Sequence, residues 1–317
     1  MARTILAVFA HPDDETFLAG PILAKWSAMG MRVELVTATP AVPPRSIDTD
    51  IATTEAGRLN SSKDDHQAIT QRADRRVQSL LCASSIIGVS RVHLLGYAES
   101  PMLPAAGDPH AGARAGGPLP MHRPLKRAAL AEIAKEIREI LGSVRPEVVL
   151  IDSPYGAYGH PDHIVVHLAA EMAFKDWQAT SAAAVSRLYA LSFPMPLVRL
   201  NVWIMKRRGL QTKRLGVDGD IDLEQAVRSA SPTVRSVATG RFVRVRKLAA
   251  RCYEKEIVEA PLPLRLLERS PTFIHRLLFF RQGLSRVWPT TGTEPAELFA
   301  GLAETPDHPR ADVRSDS

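Results

Sequence analysis

The sequence predicts an α/β fold, with a doubly wound, mostly parallel sheet and helices on both faces. Three observations support this prediction. Short β-favouring runs recur along the first half, segments of helical periodicity separate them, and glycine stands where several of those helices should end. A strand, helix, strand order implies parallel strands, because the helix carries the chain back across one face of the sheet. The length of 317 residues suits one large domain, or one domain with an appendage.

The elements follow in order from the N-terminus. The strand Thr4–Ala10 leads through a helical segment to the strand Met31–Thr39. Pro21 should kink that helix or end its first part, because its ring removes one ladder hydrogen bond and crowds the preceding turn. The later elements are the helix Arg72–Ile87 ended by Gly88, the strand Arg91–Leu95, the helix Pro124–Leu141 ended by Gly142, the strand Glu147–Asp152 and a helix over Asp162–Trp177.

We divide the chain into three parts. Residues 1–190 are predicted to form the α/β domain, residues 191–303 a less regular C-terminal extension that packs on it, and residues 304–317 a disordered tail. Two long connections interrupt the first part, Pro40–Thr70 and Ser100–Arg123. We expect them to line the distal part of a substrate, because loops on a fixed scaffold commonly carry recognition.

Composition limits the classes of function. The formal net charge of +6 permits an anionic partner, but a modest excess over this length is typical of ordinary solvated surface, and no aromatic-basic motif predicts nucleic-acid binding. Cys82 and Cys252 are too few for a disulfide framework and are predicted to be buried free thiols. The apolar run Ile5–Ala10 is too short for a signal segment, and no apolar stretch reaches the length of a membrane span, so we expect a cytoplasmic protein.

The first candidate site is the sequence HPDDE at residues 11–15, directly after the first predicted strand. Ligands bind at this edge of open parallel sheets. His11 and Asp14, three residues apart across a turn, can bind one cation, whereas Asp13 remains free to act as a base. Acidic residues at a helix start also cap backbone amides, so this cluster alone fits capping equally well.

The second candidate site is the sequence YGHPDH at residues 158–163, which follows the strand Glu147–Asp152 and therefore faces the same sheet edge. Of His160 and His163, one can bind metal, and the other, oriented by a carboxylate, can hydrogen-bond a substrate oxygen. His167 lies one helical turn later and is an alternative ligand, although a packing role is preferred. Helix capping does not readily explain two His/Asp clusters at two strand ends.

These motifs resemble those of the LmbE-like, GlcNAc-phosphatidylinositol deacetylase (PIG-L) family, in which an apolar strand runs into AHPDDE and GHPDH follows later. The resemblance extends less sharply to Leu94–Tyr97 and covers roughly the first 175 residues. It implies a Rossmann-like fold that binds one Zn²⁺ ion through His11, Asp14 and His163, a set in which Fe²⁺ or Co²⁺ could replace zinc.

The resemblance also implies the reaction. Activated water would attack the amide carbonyl of an N-acetylated amino-sugar conjugate, releasing acetate and a free amine. The roles it implies are Asp13 as general base, His160 as the group that polarises the carbonyl, Asp162 as the residue that orients His160, Tyr158 as a hydrogen-bond partner of the tetrahedral intermediate, and Glu15 as a supporting or capping residue.

The chain departs from the family pattern where substrate recognition is expected. Residues 39–43 read TPAVP in place of a Thr-x-Gly-Glu-x-Gly turn, residues 76–80 read RVQSL in place of Arg-x-x-Glu-Leu, and residues 97–102 read YAESPM. Arg76 and Glu99 are still predicted to hold sugar hydroxyls. We therefore expect the chemistry to be retained and the substrate, a small N-acetylated sugar conjugate, to differ.

A second class of function, a peripheral membrane or polyanion-binding protein, competes with the hydrolase. The segment Leu262–Trp288 interleaves Leu, Ile and Phe with five arginines, and a basic amphipathic helix can lie in a membrane interface. Packing of this segment onto the α/β domain is preferred, so membrane contact is not the favoured prediction. The sequence makes no prediction of the oligomeric state.

Overall fold

The computed structural model describes residues 3–40, 45–49, 65–100, 124–180, 186–192, 195–213, 222–259, 262–290, 298–300 and 302. Most of the predicted loop Ser100–Arg123 and the tail 304–317 lie outside these ranges. The predicted connection Pro40–Thr70 is corrected, because residues 45–48 form a strand and the following helix begins at Asp65 instead of Arg72; residues 50–64 lie outside the described ranges. The strands are β1 Thr4–Phe9, β2 Arg32–Thr37, β3 Arg45–Asp48, β4 Arg91–Leu94, β5 Val148–Ile151, β6 Arg187–Ser192, β7 Arg235–Ala238 and β8 Arg281–Trp288.

Helices alternate with the strands through the first half and dominate the second. They are α1 Asp14–Phe17, α2 Gly20–Ala28, α3 Asp65–Ile87, α4 Leu130–Val144, α5 Gly156–Gly159, α6 Pro161–Thr180, α7 Met195–Arg207, α8 Leu223–Arg228, α9 Val243–Ala250, α10 Glu254–Glu259, α11 Leu262–Arg269 and α12 Thr272–Leu278, with short 3₁₀ turns at Leu125–Arg127 and Arg251–Tyr253. Among the described residues, no helix combines the length and the hydropathy needed to cross a membrane.

The eight strands form one sheet in the order β3-β4-β2-β1-β5-β6-β8-β7. The five strands from β4 to β6 run parallel, whereas β3, β8 and β7 pair antiparallel at the two edges. From β1 the chain passes to β2 on one side, and β5 is added later on the other side. The crevice at the carboxyl ends of β1 and β5 is therefore the topological switch point at which such sheets bind ligands. The predicted α/β fold is confirmed.

The sheet separates two apolar cores, and the alternation of β1 shows why. Ile5, Ala7 and Phe9 pack on one face with α2 and α3, whereas Leu6 and Val8 pack on the other with α4 and α6. All six residues of β1 are buried because helices cover both faces. The central strand thus gives the two candidate motifs a rigid base.

Two helix ends show how well local signals predict boundaries. Pro21 lies in the first turn of α2, so the predicted helix is divided into α1 and α2, as its missing N–H requires. The helix α4 instead passes Gly142 and ends after Val144, where Arg145 adopts a left-handed conformation (φ 49°) and donates its N–H to the Leu141 carbonyl. The predicted end at Gly142 is therefore wrong by one turn, since another residue makes the cap.

The C-terminal extension is joined to the sheet and to α3. Strand β8 pairs antiparallel with β6, and β7 pairs with β8, so this part of the chain supplies one edge of the sheet. Cys82 on α3 and Cys252 form a disulfide, and the prediction of free thiols is wrong. The two cysteines are 170 residues apart, and packing of α9 against α3 brings them together. The division of the chain at residue 190 remains a prediction.

A buried arginine holds the extension against the start of the chain. Arg246 on α9 makes two hydrogen bonds to the Glu268 carboxylate, at 2.6 and 3.1 Å, and its guanidinium lies over the rings of Phe17 and Phe279. The arginine side chain is almost fully buried. Arg246 Nη1 also lies 3.2 Å from His275 Nδ1, so its charge is stabilised by a carboxylate, an imidazole nitrogen and two aromatic faces rather than by water.

We predict that Arg246→Ala lowers the free energy of unfolding by about 3–5 kcal/mol, because it leaves the Glu268 charge buried and uncompensated. Arg244→Ala, an exposed arginine of the same helix, is the matched control and should change it by less than about 0.5 kcal/mol. Urea unfolding followed by circular dichroism measures both values. Equal midpoints for the two variants would contradict the role given to this contact.

Candidate metal and catalytic site

The two predicted clusters meet at the carboxyl edge of the sheet. Strand β1 pairs with β5 in parallel, with Val8 opposite Ile151, so the residues that follow the two strands emerge side by side. The first cluster leads into α1 and the second into α6. Adjacent parallel strands thus place the motifs HPDDE and HPDH together, although about 150 residues separate them in sequence.

Two imidazoles face each other at the centre of the site. His11 Nδ1 lies 3.1 Å from His163 Nε2, and both side chains are buried. The other nitrogen of each ring contacts a carboxylate: His163 Nδ1 lies 2.6 Å from Asp152 Oδ2, and His11 Nε2 lies 3.2 Å from Asp162 Oδ2. Because a carboxylate accepts, we assign the ring protons to these outer nitrogens.

Although burial opposes the charge, the Asp14 and Asp152 carboxylates raise the pKa of His163 to about 9, so without metal its Nε2 also carries a proton, which it donates to His11 Nδ1. When a cation displaces that proton, lone pairs of His11 and His163 converge on one buried point. Two lone pairs at this distance repel unless a proton or a cation lies between them. Nitrogen ligands of a tetrahedral zinc ion lie about 3.3 Å apart, given bond lengths near 2.0–2.1 Å, so the observed 3.1 Å matches a shared cation. The residues present therefore fit a bound metal.

The third protein ligand has two candidates. Asp14 Oδ1 lies 3.7 Å from His163 Nε2, while Asp14 Oδ2 accepts the backbone N–H of His11 at 2.8 Å. His160 also offers a ring nitrogen, and the possible ligand atoms of His11, His160 and His163 all lie within 4.8 Å of one another. The geometry thus contains two ligand sets, which share His11 and His163.

The hydrogen bonding of His160 distinguishes the two sets. Its Nδ1 accepts the backbone N–H of Asp162 at 3.2 Å. Burial, together with the neighbouring imidazoles of His11 and His163, lowers the pKa of His160 to about 3, so the ring is neutral and carries its proton on Nε2. A ring in this state donates from Nε2 and has no lone pair left there for a metal.

Asp162 holds both neighbouring histidines, but with different groups. Its carboxylate lies against His11 Nε2 and accepts the backbone N–H of Ser100 at 2.7 Å, and these hydrogen bonds hold the pKa of Asp162 low although burial opposes the charge. The backbone amide of Asp162 makes the contact with His160. The Ser100 amide fixes the carboxylate against His11, and the predicted orientation of His160 by Asp162 stays a prediction.

Asp152 is a functional residue that sequence reasoning missed. Its carboxylate accepts from His163 Nδ1, and its backbone carbonyl accepts from Nδ1 of His167 at 2.8 Å. One signal in the sequence could have found it, because Asp152 is an acidic residue at the end of the predicted strand Glu147–Asp152. In the sequence prediction it marks only where that strand ends. The contact with His167 supports the packing role preferred for that histidine.

We predict that Asp152→Asn weakens metal binding by about 10–100-fold, because the amide removes the charge that orients His163 and increases its basicity. Asp176→Asn, at an exposed position of α6, is the control and should leave the affinity unchanged. Competition against a chromophoric chelator measures the Kd of both proteins. Equal affinities would show that this carboxylate does not support the ligand.

Asp13 is held in an unusual backbone conformation at the start of α1. Its φ is 111°, in the left-handed region that residues with a side chain rarely occupy. Its backbone N–H donates to Glu15 Oε2 at 2.9 Å, so the predicted supporting role of Glu15 has a direct contact. Burial, followed by the Asp14 charge, raises the pKa of Asp13 well above its usual range.

Arg76 and Glu99 form an ion pair at the rim of the site. Arg76 Nη1 donates to the Glu99 carboxylate, and Arg76 Nη2 donates to the Pro12 carbonyl at 3.1 Å and lies 3.8 Å from Asp13 Oδ2. Glu99 Oε1 lies 4.0 Å from His11 Nε2. The structure therefore brings both predicted substrate residues to the two motifs. Tyr158 lies in α5, and its side chain is outside the described part of the chain.

The C-terminal extension contributes a second residue that sequence reasoning missed. The hydroxyl of Tyr253 donates to Glu15 Oε1 at 2.9 Å, and the tyrosine is fully buried. Burial raises the pKa of Glu15 to about 7, against the hydrogen bonds that favour its charged form. The Tyr253 hydroxyl therefore holds the Glu15 carboxylate, which in turn accepts the backbone N–H of Asp13. Tyr253 and Glu15 are 238 residues apart in sequence.

We predict that Tyr253→Phe lowers kcat about tenfold with normal metal content, because a lost hydrogen bond to a carboxylate costs about 1.5–3 kcal/mol and loosens Asp13. Tyr97→Phe is the matched control, since the Tyr97 hydroxyl donates to Glu136 on α4 instead. Steady-state kinetics and metal analysis of both variants check this. If kcat were unchanged in Tyr253→Phe, the Tyr253 hydroxyl would have no role in positioning Asp13, and the residue would contribute only to packing.

Comparisons with known proteins identify the family of the part of the chain that contains both motifs. A family model described as GlcNAc-PI de-N-acetylase (PIG-L) matches residues 6–174. A 1D-myo-inositol 2-acetamido-2-deoxy-alpha-D-glucopyranoside deacetylase of Thermomonospora curvata is 32% identical over 216 residues, which cover 64% of this chain and 65% of that protein. This alignment spans slightly less than two thirds of the relative.

Two further matches extend over more of the chain. A deacetylase of the same name from Acidothermus cellulolyticus is 28% identical over 266 residues, 82% of each protein. The solved structure of a zinc-inhibited form of the teicoplanin deacetylase Orf2 aligns with a TM-score of 0.50 and 16% identity, covering 90% of this chain and 100% of that one. The structural likeness supports the fold alone.

Proposed function

This chain belongs to the GlcNAc-PI de-N-acetylase (PIG-L) family, and from this premise we propose that it removes the N-acetyl group of an amino-sugar conjugate with the help of a bound divalent metal. The observation that carries the proposal is the pair His11 and His163, whose facing nitrogens Nδ1 and Nε2 lie 3.1 Å apart in a buried position and can share a cation in place of a proton. Curated relatives named as deacetylases of a 2-acetamido-2-deoxy-glucopyranoside support the reaction class.

We assign the metal to His11, Asp14 and His163. The hydrogen bond that His160 Nδ1 accepts supports this choice, because it leaves a proton rather than a lone pair on Nε2. Three mixed nitrogen and oxygen ligands are typical of an open catalytic zinc site, and zinc is the metal we propose, with Fe²⁺ or Co²⁺ as substitutes. When bound, such a metal lowers the pKa of water and polarises a carbonyl.

The side chains then carry the proton transfers. Asp13 accepts a proton from the attacking water as the new C–O bond forms, and His160 donates a hydrogen bond from Nε2 to the carbonyl oxygen as negative charge develops there. Asp13 returns its proton to the amide nitrogen as the C–N bond breaks. Water is consumed, and acetate and a free amine are released. Tyr158 is proposed to hydrogen-bond the tetrahedral intermediate.

We propose that the rim residues orient the sugar. Glu99 is half-exposed beside Arg76, and its carboxylate can accept from sugar hydroxyls while the guanidinium keeps it in place. We propose that the substituent beyond the sugar contacts the segments between Pro40 and Thr70 and between Ser100 and Arg123. A cytoplasmic location is part of this proposal and rests on the sequence expectation, although disulfides such as Cys82–Cys252 are uncommon in that compartment.

The test is a screen for primary amine released from N-acetylated amino sugars and their glycosides, including the inositol conjugate of the curated relatives. The protein is stripped with a chelator and reloaded separately with Zn²⁺, Fe²⁺ or Co²⁺. Amine release that requires metal and is lost in Asp13→Asn supports the proposal. Reloaded, folded protein that binds metal but releases amine from no substrate in the panel would contradict it.

A further inference from the structure

The positive charge of this chain is concentrated in one C-terminal region. Residues 241–286 contain eleven Lys and Arg against four Asp and Glu, a formal charge of +7, whereas the whole chain carries +6. The remaining residues are therefore close to neutral as a group. Such an asymmetry is the pattern expected of a region that meets an anionic surface.

The same region exposes an apolar helix face. On α12, Phe273 is 69% and Leu277 is 80% exposed, one helical turn apart, and Phe280 beyond the helix is also exposed. The opposite face is anchored, because His275 is fully buried and its Nε2 contacts the Leu267 carbonyl at 2.7 Å. The helix is thus fixed with its apolar face outward. The sequence predicts that the segment Leu262–Trp288 packs onto the α/β domain. The burial of His275 agrees with that prediction, whereas the exposure of Phe273 and Leu277 does not.

Exposed arginines accompany this apolar face. Arg276 follows Phe273 by three positions on α12, and Arg269 ends α11. Arg281, which begins β8, is also exposed, but its Nε and Nη2 donate to Ser236. Helices that lie in the interface of a bilayer carry Phe and Leu on one face and have arginine beside them. The guanidinium groups can reach lipid phosphates while the rings enter the acyl boundary.

We propose that the face formed by α11 and α12 binds the surface of an anionic lipid bilayer, with Phe273 and Leu277 inserted and Arg269 and Arg276 at the phosphates. A second copy of the chain fits less well, because it would bring two arginine-rich rims together. A nucleic acid would pair with the arginines but would leave the aliphatic Leu277 without a favourable contact. This proposal is independent of the amide hydrolysis.

The test is sedimentation of the full chain with vesicles of phosphatidylcholine, alone or mixed with phosphatidylglycerol. We expect binding to the mixed vesicles only, decreasing with added salt. The double variant F273S/L277S should lower the partition coefficient at least about tenfold, since both side chains lose apolar burial. R269Q/R276Q should lower it about thirtyfold, at about one fivefold step for each arginine.

The matched control is L168S/M172S on α6, where two apolar side chains one turn apart are 46% and 48% exposed. It should bind mixed vesicles as the unchanged chain does. All three variants should retain the thermal unfolding midpoint, because each changed side chain is exposed. They should also hydrolyse a water-soluble N-acetyl amino sugar at the rate of the unchanged chain, so loss of vesicle binding and loss of the proposed activity are separate results.

Three results would overturn the proposal. The first is no vesicle binding, or equal binding to neutral and mixed vesicles. The second is binding that F273S/L277S leaves unchanged and that RNA displaces, which would identify a polyanion site. The third is a dimer in sedimentation velocity that F273S/L277S separates into monomers, which would assign the apolar face to self-association.

Discussion

Replacing Asp13 by Asn is expected to lower kcat by about 10²–10⁴ while leaving the metal content unchanged. The amide keeps the shape of the side chain and the hydrogen bond from the backbone N–H to Glu15, but it cannot accept the proton of the attacking water. Asp13 is suited to this role by its position. Burial and the Asp14 charge raise the pKa of Asp13, which makes its carboxylate a stronger base than a free one.

The neighbouring position provides the control for Asp13. Asp14→Asn should instead weaken metal binding, because the Asp14 carboxylate lies 3.7 Å from His163 Nε2 and is assigned as a ligand. Metal analysis after dialysis and steady-state kinetics on the reloaded enzymes separate the two effects. An Asp13→Asn enzyme with near wild-type kcat would refute the mechanism, whereas a metal-free Asp13→Asn protein would mean that both carboxylates bind the ion.

His163→Ala is expected to lose its metal on dialysis, and activity with it, whereas His160→Ala should keep the metal and lose about 10²–10³ in kcat. The reason is the protonation of the two rings. His163 donates from Nδ1 to Asp152 and offers Nε2 to the metal, whereas His160 accepts at Nδ1 and donates from Nε2.

The variants His160→Ala and Asp14→Asn together decide between the two ligand sets, because His163 belongs to both. If His160→Ala lost the metal and Asp14→Asn kept it, the ligands would be His11, His160 and His163, and our assignment would be wrong. His167→Ala is the control for removing a buried imidazole from α6. It should retain the metal, because the His167 ring contacts the backbone carbonyl of Asp152 rather than the carboxylate that orients His163.

The sequence alone determined the central sheet and the two motifs. Strands β1 and β5, the break at Pro21 and the end of α3 at Gly88 follow from hydrophobic runs and from backbone limits of single residues, which are local properties. Because both motifs directly follow predicted parallel strands, their meeting at one sheet edge was also predictable. The end of α4 was not, since Gly142 and Arg145 can both form a helix end.

Only the tertiary structure decided which groups support the motifs. Asp152 with His163, the Asp162 carboxylate with His11, and Tyr253 with Glu15 are contacts between elements far apart in sequence, and no local pattern specifies such a partner. The disulfide and the two antiparallel strands of the extension depend in the same way on how α9 and β8 pack. Periodicity predicts that a face is apolar, but whether another element covers it depends on the whole fold, as the exposed face of α12 shows.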